Sequence, residues 1–216
     1  TVTLRTIGIA VLVTVVDIAI ALPIAFFMAK VASPRLRYAL VIAILMPLWA
    51  GYLVKAFAWR TILSDGGVVN WALGPLGLHF DGLSTVGLWL VFTYLWLPFM
   101  ILPIYAGLER IPSSLLEASS DLGARGLGTF RRVVFPLAFP AIVAGSIFTF
   151  SLTLGDYITP QVVGNTQFIG NVIVINVAQD LPLAAAYSLV PLAIMLTYLF
   201  IARRLGLREL ADLSQT

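Results

Sequence analysis

The sequence has no cysteine and a single histidine, His79. Without cysteine there is no disulfide framework and no thiolate chemistry. One histidine with no thiol partner makes no metal-ligand cluster, and His79 reads as an ordinary surface loop residue. Charge is scarce too: Asp, Glu, Lys and Arg make up 11% of the 216 residues, against about 25% in a soluble domain. No Gly-x-x-x-x-Gly-Lys-Ser/Thr run occurs, so the chain has no phosphate cradle of that kind. The net charge is only +3. Its placement says more than its sum, and no nucleic-acid partner is expected.

What is abundant is apolar side chain, 60% of the residues, with a mean hydropathy of +1.01. A domain of this size still exposes a large surface, so lipid must be the solvent for much of it. Five stretches are long enough to cross a hydrocarbon core of about 30 Å, which takes roughly 20 helical residues: about 6–28, 38–57, 85–107, 134–154 and 183–202. They must be helical, because lipid offers no partner to a bare backbone group. Pro23, Pro47, Pro98, Pro103 and Pro191 lie in or near them; a bundle tolerates these where neighbours satisfy the freed carbonyls. The expected fold is an all-α, polytopic membrane helical bundle, a single transmembrane domain over residues 1–216.

Alternation of five spans puts Lys30, Arg35, Arg37, Arg110, Arg125, Arg131, Arg132, Arg203, Arg204 and Arg208 on one face, ten of the thirteen basic residues. The positive-inside rule makes that face cytoplasmic, with the C-terminus inside. Arg5, Lys55 and Arg60 fall on the other face, where snorkelling to the interface accommodates them. Thr1 then lies outside, so the expectation is either a sixth span ahead of it or an external N-terminus. The outer connections, 58–84 and 155–182, are rich in turn signals such as Asp65-Gly66-Gly67, Gly74-Pro75 and Thr159-Pro160. Within the second, 168–178 is apolar but too short to span, and reads as a re-entrant or interfacial helix.

The cytoplasmic loop at about 109–132 differs from the rest. Pro112 suits the first turn of a helix and Ser113 or Ser114 its cap. Leu115, Leu116, Ala118 and Leu122 give an apolar side, Glu117 and Asp121 lie four apart, and Gly123 is a good stop. A short amphipathic helix outside the membrane lies in the interface or docks into a partner's groove. Glu117-Ala118-Ser119, then Gly123, then Val133-Val134-Phe135-Pro136 resembles, spacing for spacing, the cytoplasmic signature of binding-protein-dependent ABC importer permeases: Glu-Ala-Ala, three residues, Gly, nine residues, Ile-x-Leu-Pro. Ser119, Val133 and Phe135 are departures that keep size or apolar character. The resemblance implies that this segment is the coupling helix, seated in a cleft of the nucleotide-binding subunit, with Glu117, Ala118, Ser119, Asp121, Gly123 and Pro136 as the coupling residues.

Ionisable groups inside a membrane are costly and are functional candidates by default. Asp17 lies near the middle of the first span; a polar tie to a neighbouring helix and a place on a transport path are both open readings. Asp156 and Tyr157 follow the fourth span at Gly155, and Asp180 precedes the fifth. A cationic cargo would meet these carboxylates with aromatic faces such as Trp96, through Coulomb attraction and cation–π contact. The run Gly155-Asp156-Tyr157-Ile158-Thr159-Pro160, with Gly164 and Ile169-Gly170-Asn171, is similar to the corresponding part of spermidine/putrescine importer permeases, as is the first span with Thr6, Thr14, Pro23 and Ala25.

The resemblance implies a multi-pass protein of the prokaryotic plasma (inner) membrane that does no covalent chemistry. It implies two ATP-binding cassette subunits, which carry the ATP and Mg that this chain does not bind, an extracytoplasmic substrate-binding protein, and a second permease, a homologous partner in a heterodimer. Permeases for ferric iron, phosphonate or inorganic anions share much of the pattern and remain alternatives. A gradient-driven secondary transporter with Asp17 as relay, or a membrane scaffold, would leave the coupling signature unexplained.

Overall fold

Long apolar runs close their backbone hydrogen bonds within one segment, and the computed structural model is helical throughout its core. It describes residues 2–164 and 166–213, with 205–213 as backbone alone. Thr1 and the Arg208 side chain, both used in the sequence reading, lie outside the described residues. Helix α1 (Val2–Phe26) continues through one wide turn (Phe27–Val31) into α2 (Pro34–Trp49) and α3 (Tyr52–Leu63). The short α4 (Val68–Leu73) leads to α5 (Thr85–Glu109) and α6 (Ser113–Asp121). Helix α7 (Gly126–Thr129) runs through a second wide turn (Phe130–Val134) into α8 (Phe135–Gly155), followed by α9 (Ile158–Val162), α10 (Ile169–Val177) and α11 (Leu181–Leu213).

Among the described residues, four helical segments are long and apolar enough to cross a membrane: Val2–Val31, Thr85–Glu109, Gly126–Gly155 and Leu181–Arg204. The remaining expected span, 38–57, is not one helix. It breaks at Ala50 and Gly51, whose ψ angles of 135° and 138° are extended, and α2 and α3 meet at a bend of 93°. Pro47 removes an N–H from the last turn of α2, weakening the helix just ahead of the break. Counted as one broken span, the pair brings the total to five. The connection expected over 58–84 is correspondingly shorter, since α3 runs on to Leu63 before the turn closed by Gly67 N–H on the Ser64 carbonyl at 2.8 Å.

The core is a three-helix seam of α1, α5 and α8. At one end Ala21, Met28, Met100, Ile104, Leu108 and Ala138 are buried together. At the other, Val13, Leu88, Phe92 and Trp96 pack with Leu63 of α3 and Phe168. Between membrane helices the attraction is close packing rather than water exclusion, so small residues at the seam matter. A Cβ on Gly107 would stand 2.4 Å from that of Ala141, and one on Gly145 would stand 2.8 Å from Met100 Sδ. Helix α11 leans on α8 through the stacked Phe150 and Tyr198 rings, 4.3 Å apart, and through the Tyr198 hydroxyl, which bonds Ser146 Oγ at 2.8 Å. Helix α2 fully buries no side chain. Exposed side chains such as Trp49, Leu189 and Phe200 fit a molecule whose solvent is largely lipid.

Candidate functional site

At the end of the bundle where α1 and α5 finish, α6 touches the core through Leu116 and has no fully buried residue. Its helical form was legible in the sequence, but its start differs from expectation. Pro112 is the capping residue with extended ψ of 141°, and neither Ser113 nor Ser114 caps it through its side chain; the helix begins where the proline ring ends the preceding turn. Its end is as the sequence indicates. Gly123 N–H bonds the Ser120 carbonyl at 2.9 Å, and Ala124 N–H bonds that of Ser119 at 3.1 Å, with Gly123 at φ +79°. This paired closure needs the left-handed residue that glycine supplies without strain. Ser119 Oγ then meets Thr129 Oγ1 at 3.0 Å, holding α6 against α7. Glu117, Ala118 and Asp121 are exposed, as are Leu115 and Leu122. Pro136 sits in the first turn of α8, directly after the wide turn Phe130–Val134.

The opposite half of the bundle holds the polar cluster. Asp156 follows the end of α8 and is 8% exposed. Its Oδ1 accepts the N–H groups of Ile158 at 2.8 Å and Thr159 at 3.2 Å, capping α9. Its Oδ2 accepts the Thr159 hydroxyl at 2.7 Å and the hydroxyl of Tyr52, the first residue of α3. The Tyr52 ring stacks on Trp96 of α5, with centroids 5.9 Å apart and planes 13° from parallel. One carboxylate thus joins α3, α5 and the α8–α9 break. All four donors are neutral, and no Lys or Arg among the described residues forms an ion pair with Asp156.

Tyr157 is half-exposed beside this cluster, and its carbonyl accepts the Asn171 side chain at 2.7 Å. Asn171 also caps α10 by accepting Phe168 N–H at 3.0 Å. Asp180 is apart from the cluster, exposed at the α10–α11 turn, where it accepts Leu183 N–H at 3.0 Å. Asp17 is fully buried on α1, and neither of its oxygens has a hydrogen-bond partner among the described residues. Trp96 Nε1 and Thr93 Oγ1 on α5 and Thr149 Oγ1 on α8 are likewise buried and unbonded. Buried polar groups on α1, α5 and α8 are thus left unsatisfied by the described residues. Near this half a polar cleft of about 670 Å³ opens between α3, the α4–α5 turn and the α9–α10 loop, lined by Arg60, Asp81, Ser84, Thr85, Gln161 and Thr166.

The structure brings Asp156, Tyr157 and Trp96 together and adds Tyr52 to them, a residue the sequence reading placed inside an uninterrupted span. The one local signal is Gly51 just before Tyr52, which marks a break in the backbone.

The fold is a bundle of long apolar helices with a short exposed helix between two of its spans. The chain belongs to the family described as the binding-protein-dependent transport system inner membrane component, which matches residues 6–208. Its membrane subunits are transport components, not enzymes; ATP hydrolysis is done by separate subunits. The chain is 49% identical over 221 residues to the inner membrane ABC transporter permease protein YdcU of Escherichia coli (strain K12), covering 94% of this chain and 71% of that protein. It is 31% identical over 226 residues to the spermidine/putrescine transport system permease protein PotB of Salmonella typhimurium (strain LT2), covering 98% and 77%. Among solved structures, a bacterial alginate ABC transporter bound to its pentasaccharide-loaded periplasmic protein superposes with a TM-score of 0.74 at 19% identity, covering 96% of this chain and 77% of that one. The MetNI methionine ABC transporter superposes at 0.70 with 16% identity, covering 96% of each. Likeness at those identities carries the fold alone.

Proposed function

We propose that this permease passes a small organic cation of the polyamine class. The observation that carries the reading is Asp156: a buried carboxylate held only by neutral donors, beside the Tyr52–Trp96 stack. Its negative charge is left for a passing cation to meet, and the aromatic faces add cation–π attraction. Relatives named for spermidine and putrescine transport support the same class. Because all four acceptor contacts of Asp156 are taken, it acts on cargo through its field rather than by direct coordination. Tyr157 and Asp180 flank the route, Trp96 lines it, and Asp17 meets cargo only when the α1–α5–α8 seam parts.

In this reading the end bearing Lys30, Arg37 and α6 is cytoplasmic, with the C-terminus on that side. Two ATP-binding cassette subunits hold ATP and Mg there and receive Glu117, Ala118, Ser119, Asp121 and Gly123. A homologous second permease completes the path, and a binding protein delivers cargo at the polar cleft. The test is ATP hydrolysis by the reconstituted complex with its binding protein, across spermidine, putrescine, ferric iron, phosphonate and sulfate. Stimulation by a polyamine alone is expected. Stimulation by an anion or a metal instead overturns the cargo class.

A further inference from the structure

Helix α1 ends in a wide turn, Phe27–Val31, closed by Ala32 N–H on the Phe27 carbonyl at 2.8 Å. Carbonyls in the last turn of a helix lack intrahelical donors. Here the Arg37 guanidinium, on α2, supplies them: Nε bonds the Met28 carbonyl and Nη2 the Ala29 carbonyl, both at 3.1 Å. Its third edge, Nη1, pairs with Glu109 Oε1 at 3.3 Å, an oxygen that also accepts the Tyr105 hydroxyl at 3.0 Å. From the wide turn itself, Lys30 Nζ bonds the carbonyl of Ile111 at 2.6 Å.

Glu109 is the last residue of α5, and Ile111 lies two residues before the start of α6. Two cations from the α1–α2 corner therefore grip the strap from which α6 is hung. The strap continues α5 directly along the chain and packs on it through Ile111. It reaches α1 and α2 through these bonds and through apolar packing. Helix α2 needs the tie most, having no fully buried side chain and only Leu40, Val41 and Ile44 packed on the core. A guanidinium fork with three acceptors in fixed directions resists sliding, because each bond is angle-dependent.

We infer that Lys30 and Arg37 are positioning residues for coupling: they transmit displacement of α6 to α1 and α2 through the Ile111 carbonyl and the Glu109 carboxylate. The inference rests on the reading of α6 as the helix that meets the ATPase.

The test uses the complete complex in proteoliposomes and reads cargo moved per ATP hydrolysed, together with retention of the ATPase subunits. Lys30→Met keeps the stem and removes the donor; Lys30→Arg keeps a donor; Arg37→Met removes the fork. The Met variants are expected to retain the ATPase and its stimulation by the binding protein while transport per ATP falls at least fivefold, with Lys30→Arg recovering most of it. An unchanged ratio in intact complexes overturns the inference. So does a loss of complex yield with an unchanged ratio in what remains, which is what a merely structural role produces. Glu117→Arg is the separate arm. If it strips or uncouples the ATPase while Lys30→Met leaves the ratio alone, this inference falls and the α6 reading survives; if neither variant has any effect, both fall.

Discussion

Replacing Tyr52 with Phe removes one hydroxyl and leaves the ring stacked on Trp96. That hydroxyl is the polar tie between α3 and the α8–α9 break, reaching Asp156 Oδ2 and Thr159 Oγ1. Asp156 keeps three donors, Ile158 N–H, Thr159 N–H and the Thr159 hydroxyl, so the cap of α9 survives and the change isolates the α3 contact. A hydrogen bond to a charged acceptor contributes about 1.5–3 kcal/mol, which is roughly a tenfold to hundredfold change in the ratio of attached to detached α3. Hydrogen exchange on the purified complex reads this directly, since amides that open by local detachment exchange in proportion to the open population. Amides of 52–63 should exchange roughly ten to a hundred times faster in Tyr52→Phe, with those of α5 and α8 unchanged. Equal exchange in α3 would refute the reasoning and leave apolar packing as the whole of its attachment. Faster exchange across the bundle would refute it differently, by making the tie part of global stability.

Three further outcomes follow from the geometry. Gly123→Ala forces a side chain into the left-handed region at φ +79°, at about 1–2 kcal/mol; ATPase retention in detergent should weaken while the spans keep their thermal stability. Gly107→Ala places a Cβ 2.4 Å from that of Ala141, an overpacking worth about 1–3 kcal/mol; the melting temperature in detergent should fall, and the double variant with Ala141→Gly should regain most of it. Asp156→Asn removes a charge whose interaction with a cation about 10 Å away is about 1–2 kcal/mol at an effective dielectric of about 20, so uptake of a polyamine should fall about tenfold in complexes that still assemble.

How far the sequence reaches is clearest in the second span. Hydropathy sees that 38–57 is apolar, but apolarity is insensitive to direction, and a window averages straight through the bend at Ala50 and Gly51. Pro47 and Gly51 hold the information, in backbone terms that hydropathy does not weigh. The other spans were legible because each is a long uninterrupted run, and α6 because its glycine stop is a local signal. Its expected serine cap failed for a local reason as well: Pro112 takes the capping position itself. The long-range ties were not legible. Tyr52 reaches Asp156 across 104 residues and Lys30 reaches Ile111 across 81, and nothing near either residue names its partner. The basic residues were read for their sidedness, and the precise bonds made by Lys30 and Arg37 emerge only once the α1–α2 corner is folded against the end of α5.

The central claim is that this permease carries a polyamine under the drive of its ATPase partners. Its most direct test is accumulation of labelled spermidine in proteoliposomes holding the full complex, with ATP on the ATPase side and the binding protein on the other. The account predicts ATP-dependent accumulation that unlabelled putrescine or spermidine suppresses and that sulfate or phosphonate does not. ATP-dependent accumulation of an anion, with spermidine left outside, would contradict it.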